Sequence, residues 1–427
     1  MINKLKNTID FIKQHIDADD YHIDAKVKDS LDTRFAQNRI TQNISGVKFE
    51  IDVVLYYGKK SGSVTIDQLD EATILERLEV AKTIARHSSE DHEYIPSEKA
   101  KEYREYDNYD EEIANLTVDD HLAIIKICID NALKQDALVS GMVSRHVVHT
   151  FLTTKNGFLG ENRSTSFEHS MTIKKDERET RVSTSVIRKK LHNLDALLDE
   201  LNKNFQAIST PNEMLPCKIP VILRPQAVID IFSFMSWFMD RRGADLGMTP
   251  FSDKINTPFF GMSFNMSSSL DDDRIMRQAF DASGIINKNT DWSKDGILMN
   301  LPTGKAYAQE HNLENVNHPF NIVIAGGDKT EEEMMAMVDE GIIINRFWYI
   351  RVVDGKSGEL TGLTRDGVLY FKNGKIEKSV NNFRWNEIPH DMTRRILALG
   401  KQIVTDTRSI VPTMLINDFT LVDNTRF

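Results

Sequence analysis

The alternation of apolar and polar positions turns on one mid-chain stretch, Ile219–Arg242, in a chain of 427 residues. Ile219–Leu223 is a short apolar run rich in β-branched residues and closed by Arg224-Pro225, which reads as a strand. Apolar residues then recur at Val228, Ile231, Phe232, Met235 and Phe238, spacings of three and four that predict a helix. Ala227, Ile229, Phe234, Trp237 and Met239 fill most of its other faces, so burial nearly all round is expected. The helix carries Phe232, Ser233 and Trp237, and no His, Cys or Glu.

Upstream, Lys4–Ile16 sets Leu5, Ile9, Ile12 and Ile16 on one helical stripe. Tyr21–Val27, Asp32–Thr41 and Val47–Tyr57 read as strands, with Gly62–Ile66 a short fourth. Leu75, Leu78, Ala81 and Ala85 predict a second helix, whereas Ser88–Asp110 has neither period and reads as an exposed connection bearing tyrosines. Thr117 caps a third helix through Leu122, Ile125, Ile129 and Leu133. Leu138–Thr154, Phe158–Ile173 and Glu179–Val186 predict a meander turned at Asn156-Gly157, and Leu191–Ala207 an amphipathic helix. Ser209–Pro220, with Pro211, Pro216 and Pro220, is a stiff connector and the best inner boundary. Past Arg242, loops run to Asp273. Gly296–Leu301, Phe320–Ala325, Gly341–Val353, Leu360–Phe371 and Lys375–Ser379 then read as strands, with helices at Glu331–Glu340 and Asp391–Val404.

Hairpins dominate, so the expected class is α+β. An N-terminal helix and antiparallel-sheet domain spans 1–208, and a larger, mostly antiparallel β domain with helices spans 209–427. Composition changes this picture only by exclusion. A formal charge of −11 opposes a nucleic-acid partner, whose phosphates need clustered Lys and Arg. The longest apolar stretch is broken by Asp230 and falls short of the roughly 20 residues a bilayer span requires. No signal-peptide centre opens the chain, and two cysteines, Cys128 and Cys217, make no disulfide framework, so a cytoplasmic protein is expected.

Candidate chemistry is sparse. A zinc hydrolase needs two His at helical spacing with a carboxylate to activate water. His92-Glu93 is followed by Pro96 and no second His, while His146 and His149 lie in a predicted strand, pointing to opposite faces. His311, His318 and His390 are isolated in sequence. Gly261-Met262-Ser263-Phe264-Asn265 fails the nucleophile-elbow pattern at its last position. Cys128 falls on an apolar helical stripe and reads as an inert core thiol. Gly326-Gly327-Asp328-Lys329-Thr330 lacks the upstream glycine of a phosphate loop, and Thr330 with Glu333 reads as a capping box. Asp271-Asp272-Asp273 reads as a solvated loop.

The C-terminal third carries a more specific pattern. Gly341–Ile344 leads to Val352-Val353-Asp354-Gly355-Lys356-Ser357-Gly358-Glu359-Leu360-Thr361, then Asp366–Ile376 and Val380-Asn381-Asn382. Ala279–Gly284, Asp295–Leu298 and Asn321–Gly327 precede it, and Ile44–Val47 lies near the N-terminus. In order and spacing this resembles the TldD/PmbA family, once described as modulators of DNA gyrase, over essentially the whole chain. The resemblance implies a metallopeptidase system. Its TldD branch bears H-E-x-x-x-H on the helix after the mid-chain strand, and a Cys near the C-terminus, which together hold zinc.

Laid on this chain, the two histidine positions fall at about Phe232 and Trp237 and the glutamate at about Ser233, and Asp406–Pro412 contains no Cys. The chain therefore resembles the PmbA (TldE) branch. That implies no zinc and no catalytic residue of its own, and a TldD-like partner, or else a homodimer, acting on peptides. Ser357, Gly358, Glu359 and Thr361 mark a hairpin whose edges near Gly355–Gly362 could hold peptide by strand addition or could equally be paired within the subunit. The threonine-glycine-asparagine loop frequent in the family is replaced by Glu314–Pro319. The competing expectation is a stand-alone, non-catalytic dimeric scaffold that binds peptides. Nothing in the acidic composition supports contact with DNA.

Overall fold

The computed structural model describes residues 1–425. Its first half comprises α1 (Ile2–His15), β1 (Asp20–Ala36), β2 (Arg39–Tyr57), β3 (Lys60–Ile66), α2 (Glu71–His87), α3 (Glu111–Ala114), α4 (Val118–Leu133), β4 (Leu138–Thr154), β5 (Leu159–Lys175), β6 (Arg178–Val186) and α5 (Leu194–Ala207). The strands form an antiparallel sheet in the order β3-β2-β1-β4-β5-β6. Alternation does the sorting. Ile23, Ala25 and Val27 of β1, Ile51 and Val53 of β2 and Phe151 of β4 pack with Leu5, Ile9 and Ile12 of α1. Val139, Val143, Phe167 and Met171 pack with α4 and α5. Each such Val, Leu, Ile, Phe or Met side chain stabilises the fold by roughly 1.5–3 kcal/mol. The opposite face presents Asp24, Lys26, Thr150 and Asn162 and lines a cleft against Met276–Ala282.

Two expectations change here. Asp32–Thr41 is not one strand: β1 runs unbroken to Ala36, and the chain reverses at Gln37 and Asn38, both left-handed (φ 52° and 60°). Asp29, between the two predicted strands, lies inside β1 and is paired with Arg145 at 3.2 Å. Ser88–Asp110 is also no free connection. Asp20 accepts hydrogen bonds from Tyr94 Oη (2.9 Å) and from Ser97 N and Oγ (2.7 and 2.6 Å). Tyr103 packs edge-on against Phe280, with ring centroids 5.0 Å apart, tying the segment to the second half of the chain.

The second half comprises β7 (Lys218–Leu223), α6 (Pro225–Ser236), α7 (Arg241–Asp245), β8 (Met266–Ser268), β9 (Thr290–Lys294), β10 (Ile297–Leu298), α8 (Lys305–Glu310), β11 (Ile322–Ile324), α9 (Glu331–Met335), β12 (Glu340–Asp354), β13 (Glu359–Lys372), β14 (Lys375–Val380), β15 (Asn382–Glu387), α10 (Pro389–Thr393), β16 (Ile396–Asp406) and β17 (Ser409–Thr425). The class is α+β, as expected. Most pairings are antiparallel, but β7–β12 and β11–β17 are parallel. Because β17 also pairs with β7, the ladder β7-β12-β13-β15-β17 closes into a ring. Val221, Leu223, Ile342, Ile344, Phe383, Trp385, Met414 and Phe419 supply its apolar core. The helix predicted at Asp391–Val404 is corrected: only Pro389–Thr393 is helical, and Ile396–Asp406 is a strand paired with β17. The helix expected over Glu331–Glu340 stops at Met335. Among the described residues no helix is long and apolar enough to cross a membrane.

Candidate functional site

Pro225 opens α6, where its missing N–H costs nothing, and the helix packs against β12 and β17. Phe232 is completely buried and stacks on Phe264 with ring centroids 4.8 Å apart. Ser233 is partly buried, and its carbonyl accepts a 2.6 Å hydrogen bond from Ser236 Oγ. Trp237 follows the last helical residue and is 70% exposed, resting on Phe234 at 4.5 Å. Burial all round the helix therefore fails at Trp237, because the helix ends at Ser236 and the chain turns outward before Met239 re-enters the core.

The turn between β12 and β13 lies beside this helix end. The carboxylate of Asp354 accepts hydrogen bonds from the backbone N–H groups of Lys356 (3.2 Å) and Ser357 (2.9 Å). Gly358 takes a left-handed φ of 74°, and a Cβ there would stand 3.0 Å from Pro250 Cγ and 3.8 Å from His390. A Cβ on Gly355 would meet Phe238 at 3.9 Å. The fold thus gathers the end of α6, the hairpin turn and α10. The second limb of the hairpin is paired within the chain, the alternative that the sequence left open. Leu360–Leu363 are paired with β12 on one side and β15 on the other, and Thr361 Oγ1 donates to the Trp385 carbonyl at 2.9 Å. Among the described residues, β12 has no strand paired on its β7 side beyond Ile344, where Trp348, Tyr349, Val352 and Val353 are 47%, 61%, 47% and 50% exposed.

The other candidates fall apart in space. His146 faces Asp32 at 3.8 Å on the polar side of the first sheet, while His149 is buried on the helix side. Glu93 pairs with Arg242 at 2.6 Å on the surface. Cys128 is buried 3.6 Å from His169 Nε2, and burial pushes its thiol up to about 12, so no thiolate is available. His390 stacks on Phe259 at 4.5 Å, and burial pushes it down to about 4. Asp272 is held by Arg274 at 2.6 Å. The capping box at Thr330 and Glu333 is present. Gly261 is a packing glycine, since a Cβ there would stand 2.1 Å from the Thr393 carbonyl oxygen. Among the described residues, no group of three or more His, Cys, Asp or Glu is placed to hold a metal ion.

Sequence reasoning missed a buried polar network where the two halves meet. Arg224 donates to both carboxylate oxygens of Glu331 at 2.8 Å, to Asn204 of α5 at 2.8 Å and to Asn345 of β12 at 2.7 Å. Burial works to raise the Glu331 carboxyl, and Arg224 overrides it, holding the group below its ordinary range. Asp230 of α6 accepts from Gln226 Nε2 (2.8 Å) and from the Phe347 N–H (2.9 Å), yet burial pushes it up to about 6. Asp366 lies 2.8 Å from Arg346 and 3.8 Å from Arg365, and a cavity of about 580 Å³ opens beside it. The only sequence signal was Asp366-Gly367, a bulge dipeptide inside a strand pattern.

Comparison with known proteins agrees with this architecture. Residues 216–423 match the PmbA/TldA metallopeptidase C-terminal domain. The chain is similar in fold to a protein from Thermotoga maritima named as a modulator of DNA gyrase (16% identity, 99% of this chain and 100% of that one, TM-score 0.84). It is also similar to one so named from Bacteroides thetaiotaomicron (14%, 99% and 98%, 0.87). TldE from Thermococcus kodakarensis gives 13% identity over 99% of each chain and a TM-score of 0.84. No curated protein sequence matches. Residues 216–423 thus carry the domain of the PmbA/TldA metallopeptidases, and the chain shares its fold with these three structures along nearly its whole length.

Proposed function

We propose that this chain is a TldE/PmbA-like subunit of a TldD/TldE-type metallopeptidase that processes peptides in the cytoplasm, the zinc and the bond cleavage residing in a TldD-like partner. The observation that carries this reading is Phe232, fully buried and stacked on Phe264 where the family resemblance calls for a zinc-binding imidazole. A phenyl ring offers no lone pair to a metal, Ser233 no carboxylate to activate water, and Trp237 points out of the core. Zinc therefore does not fit these residues.

The chain's own contribution is shape and partner contact. Trp237 and the exposed row Trp348, Tyr349, Val352 and Val353 on the open edge of β12 suit a partner subunit of the same fold, since exposed aromatics at a strand edge are costly unless covered. Purification from the native cell followed by zinc analysis tests the reading. The expected result is a complex with an H-E-x-x-x-H chain that holds the zinc, and metal-free material when this chain is isolated. Stoichiometric zinc with peptide hydrolysis by this chain alone would overturn it, and a stable metal-free homodimer with no such partner would favour the scaffold reading.

A further inference from the structure

The chain contains two Asn-Gly pairs, Asn156-Gly157 and Asn373-Gly374, each in the turn of a hairpin. The dipeptide suits a tight turn, yet its carboxamide is also the one most open to attack by the next backbone nitrogen, because glycine puts no Cβ beside that nitrogen. Both asparagines are exposed, so exposure does not distinguish them. Their surroundings do.

At Asn156 both reacting groups are held. Its Nδ2 donates to the Ser97 carbonyl at 3.0 Å and to Ser97 Oγ at 3.2 Å, and the Gly157 N–H donates to the Thr154 carbonyl at 3.2 Å. The connection Ser88–Asp110 supplies Ser97 and also pairs Lys99 with Gly157. At Asn373 the turn stands on its own. Asn373 and Gly374 take φ 49° and 73°, the left-handed pair that a two-residue turn requires, and close Lys372 against Lys375. The Asn373 N–H donates to the Asp339 carbonyl at 2.8 Å, which anchors the backbone but not the side chain. Among the described residues, neither the Asn373 carboxamide nor the Gly374 N–H makes a hydrogen bond. Nothing crowds the glycine either: a Cβ there would meet Ala336 no closer than 3.8 Å.

We propose that Asn373 is a deamidation site and that the Ser88–Asp110 connection protects Asn156 from the same reaction. The Gly374 nitrogen gives its proton to solvent base and attacks Asn373 Cγ. A C–N bond forms and closes a succinimide, the Cγ–Nδ2 bond breaks, and ammonia leaves after taking a proton back from solvent. Water then opens the ring at either carbonyl, giving aspartate or isoaspartate. Aspartate sets a carboxylate between Lys372 and Lys375. Isoaspartate lengthens the main chain inside a turn built for two residues, so β14 loses its register on β13. The site stands independently of the peptidase-subunit reading.

Ageing of the full chain at mildly alkaline pH, followed by peptide mass mapping and enzymatic methylation of isoaspartate, tests it. In the folded chain Asn373 is expected to convert at least about tenfold faster than Asn156, which must first break three hydrogen bonds of ordinary net strength. In urea the two are expected to convert alike. S97A is expected to speed conversion at Asn156 severalfold and leave Asn373 unchanged, and N373Q to abolish the Asn373 signal alone. Equal rates at the two sites of the folded chain, or an inert Asn373 where the urea-unfolded chain reacts, overturns the site. A folded S97A chain in which Asn156 stays inert overturns the protection by the connection. Should S97A fail to fold, the comparison of folded and unfolded wild-type chains still decides the site.

Discussion

Acid should unfold the N-terminal half through two histidines that the fold keeps neutral. His121 is completely buried, with Nδ1 3.1 Å from Thr33 Oγ1 and Nε2 lacking a partner. His169 is 1% exposed, its ring held between Cys128 (3.6 Å) and His192 (3.2 Å). Burial, reinforced by Arg145, pushes His121 down to about 4; burial, reinforced by His192, pushes His169 down to about 3. The unfolded chain returns both to 6.5. A base with a depressed folded pKa takes up its proton on unfolding, so its stabilising effect is complete above the unfolded value and is lost as pH falls from there toward the folded value. At pH 5 each histidine costs about 2 kcal/mol relative to neutral conditions, roughly 4 kcal/mol for the pair, a large share of a typical 5–15 kcal/mol stability. Urea unfolding followed by circular dichroism between pH 7 and pH 4.5 measures the slope. The H121N/H169N variant should be weaker at pH 7 but flatter in its pH dependence by about 3 kcal/mol per pH unit, the effect of two protons. Wild-type and variant slopes that coincide would refute the reasoning, because the carboxylates are common to both.

Phe232→Ala should cost about 3–5 kcal/mol as a core cavity, whereas Trp237→Ala should change stability by less than about 0.5 kcal/mol yet weaken partner binding by about 2 kcal/mol; chemical denaturation and a binding titration separate the two. Arg224→Met strands Glu331 in the interior and should cost about 3–5 kcal/mol, much of it recovered in R224M/E331M, a double-mutant comparison by urea unfolding. Gly358→Ala meets both its φ of 74° and Pro250 Cγ at 3.0 Å, and should destabilise by about 1 kcal/mol or more in a thermal melt. The triple variant F232H/S233E/W237H should hold no zinc by elemental analysis, because one restored ligand lies in the core and the other beyond the helix end.

The first sheet was legible because its signals are local. Alternation along Val47–Tyr57, the Asn156-Gly157 turn and the Thr117 cap each specify structure within a few residues, and all are present. Where the local signal was spoiled, the partner that explains it lies far away. Asp29, between the two predicted strands, answers Arg145, more than a hundred positions on. Met392, Ile396 and Leu399 fall at helical spacing, and only the pairing of β16 with β17 makes Ile396–Asp406 a strand. Ring closure through β7 and β17 joins segments nearly two hundred residues apart and leaves no trace in any window of the sequence.

The candidate site was legible by absence in one place and hidden in another. The resemblance located the helix that would carry zinc, and an aromatic at Phe232 could be read directly. It could not reveal that Phe232 and Trp237 part company, one into the core and one into solvent, because that depends on where α6 ends. The ion pairs of Asp366 were invisible for a different reason: Arg346 comes from β12 while Arg365 and Asp366 come from β13, and single charged residues in strands look like ordinary surface positions. The burial of Asp366 follows only from docking one half of the chain on the other, with Thr180 Oγ1 donating to the Asp366 carbonyl at 3.4 Å across that junction. A chain that keeps hydrophobic packing where the family resemblance places a metal holds its buried charges elsewhere, in Arg224 with Glu331 and in Arg346 with Asp366.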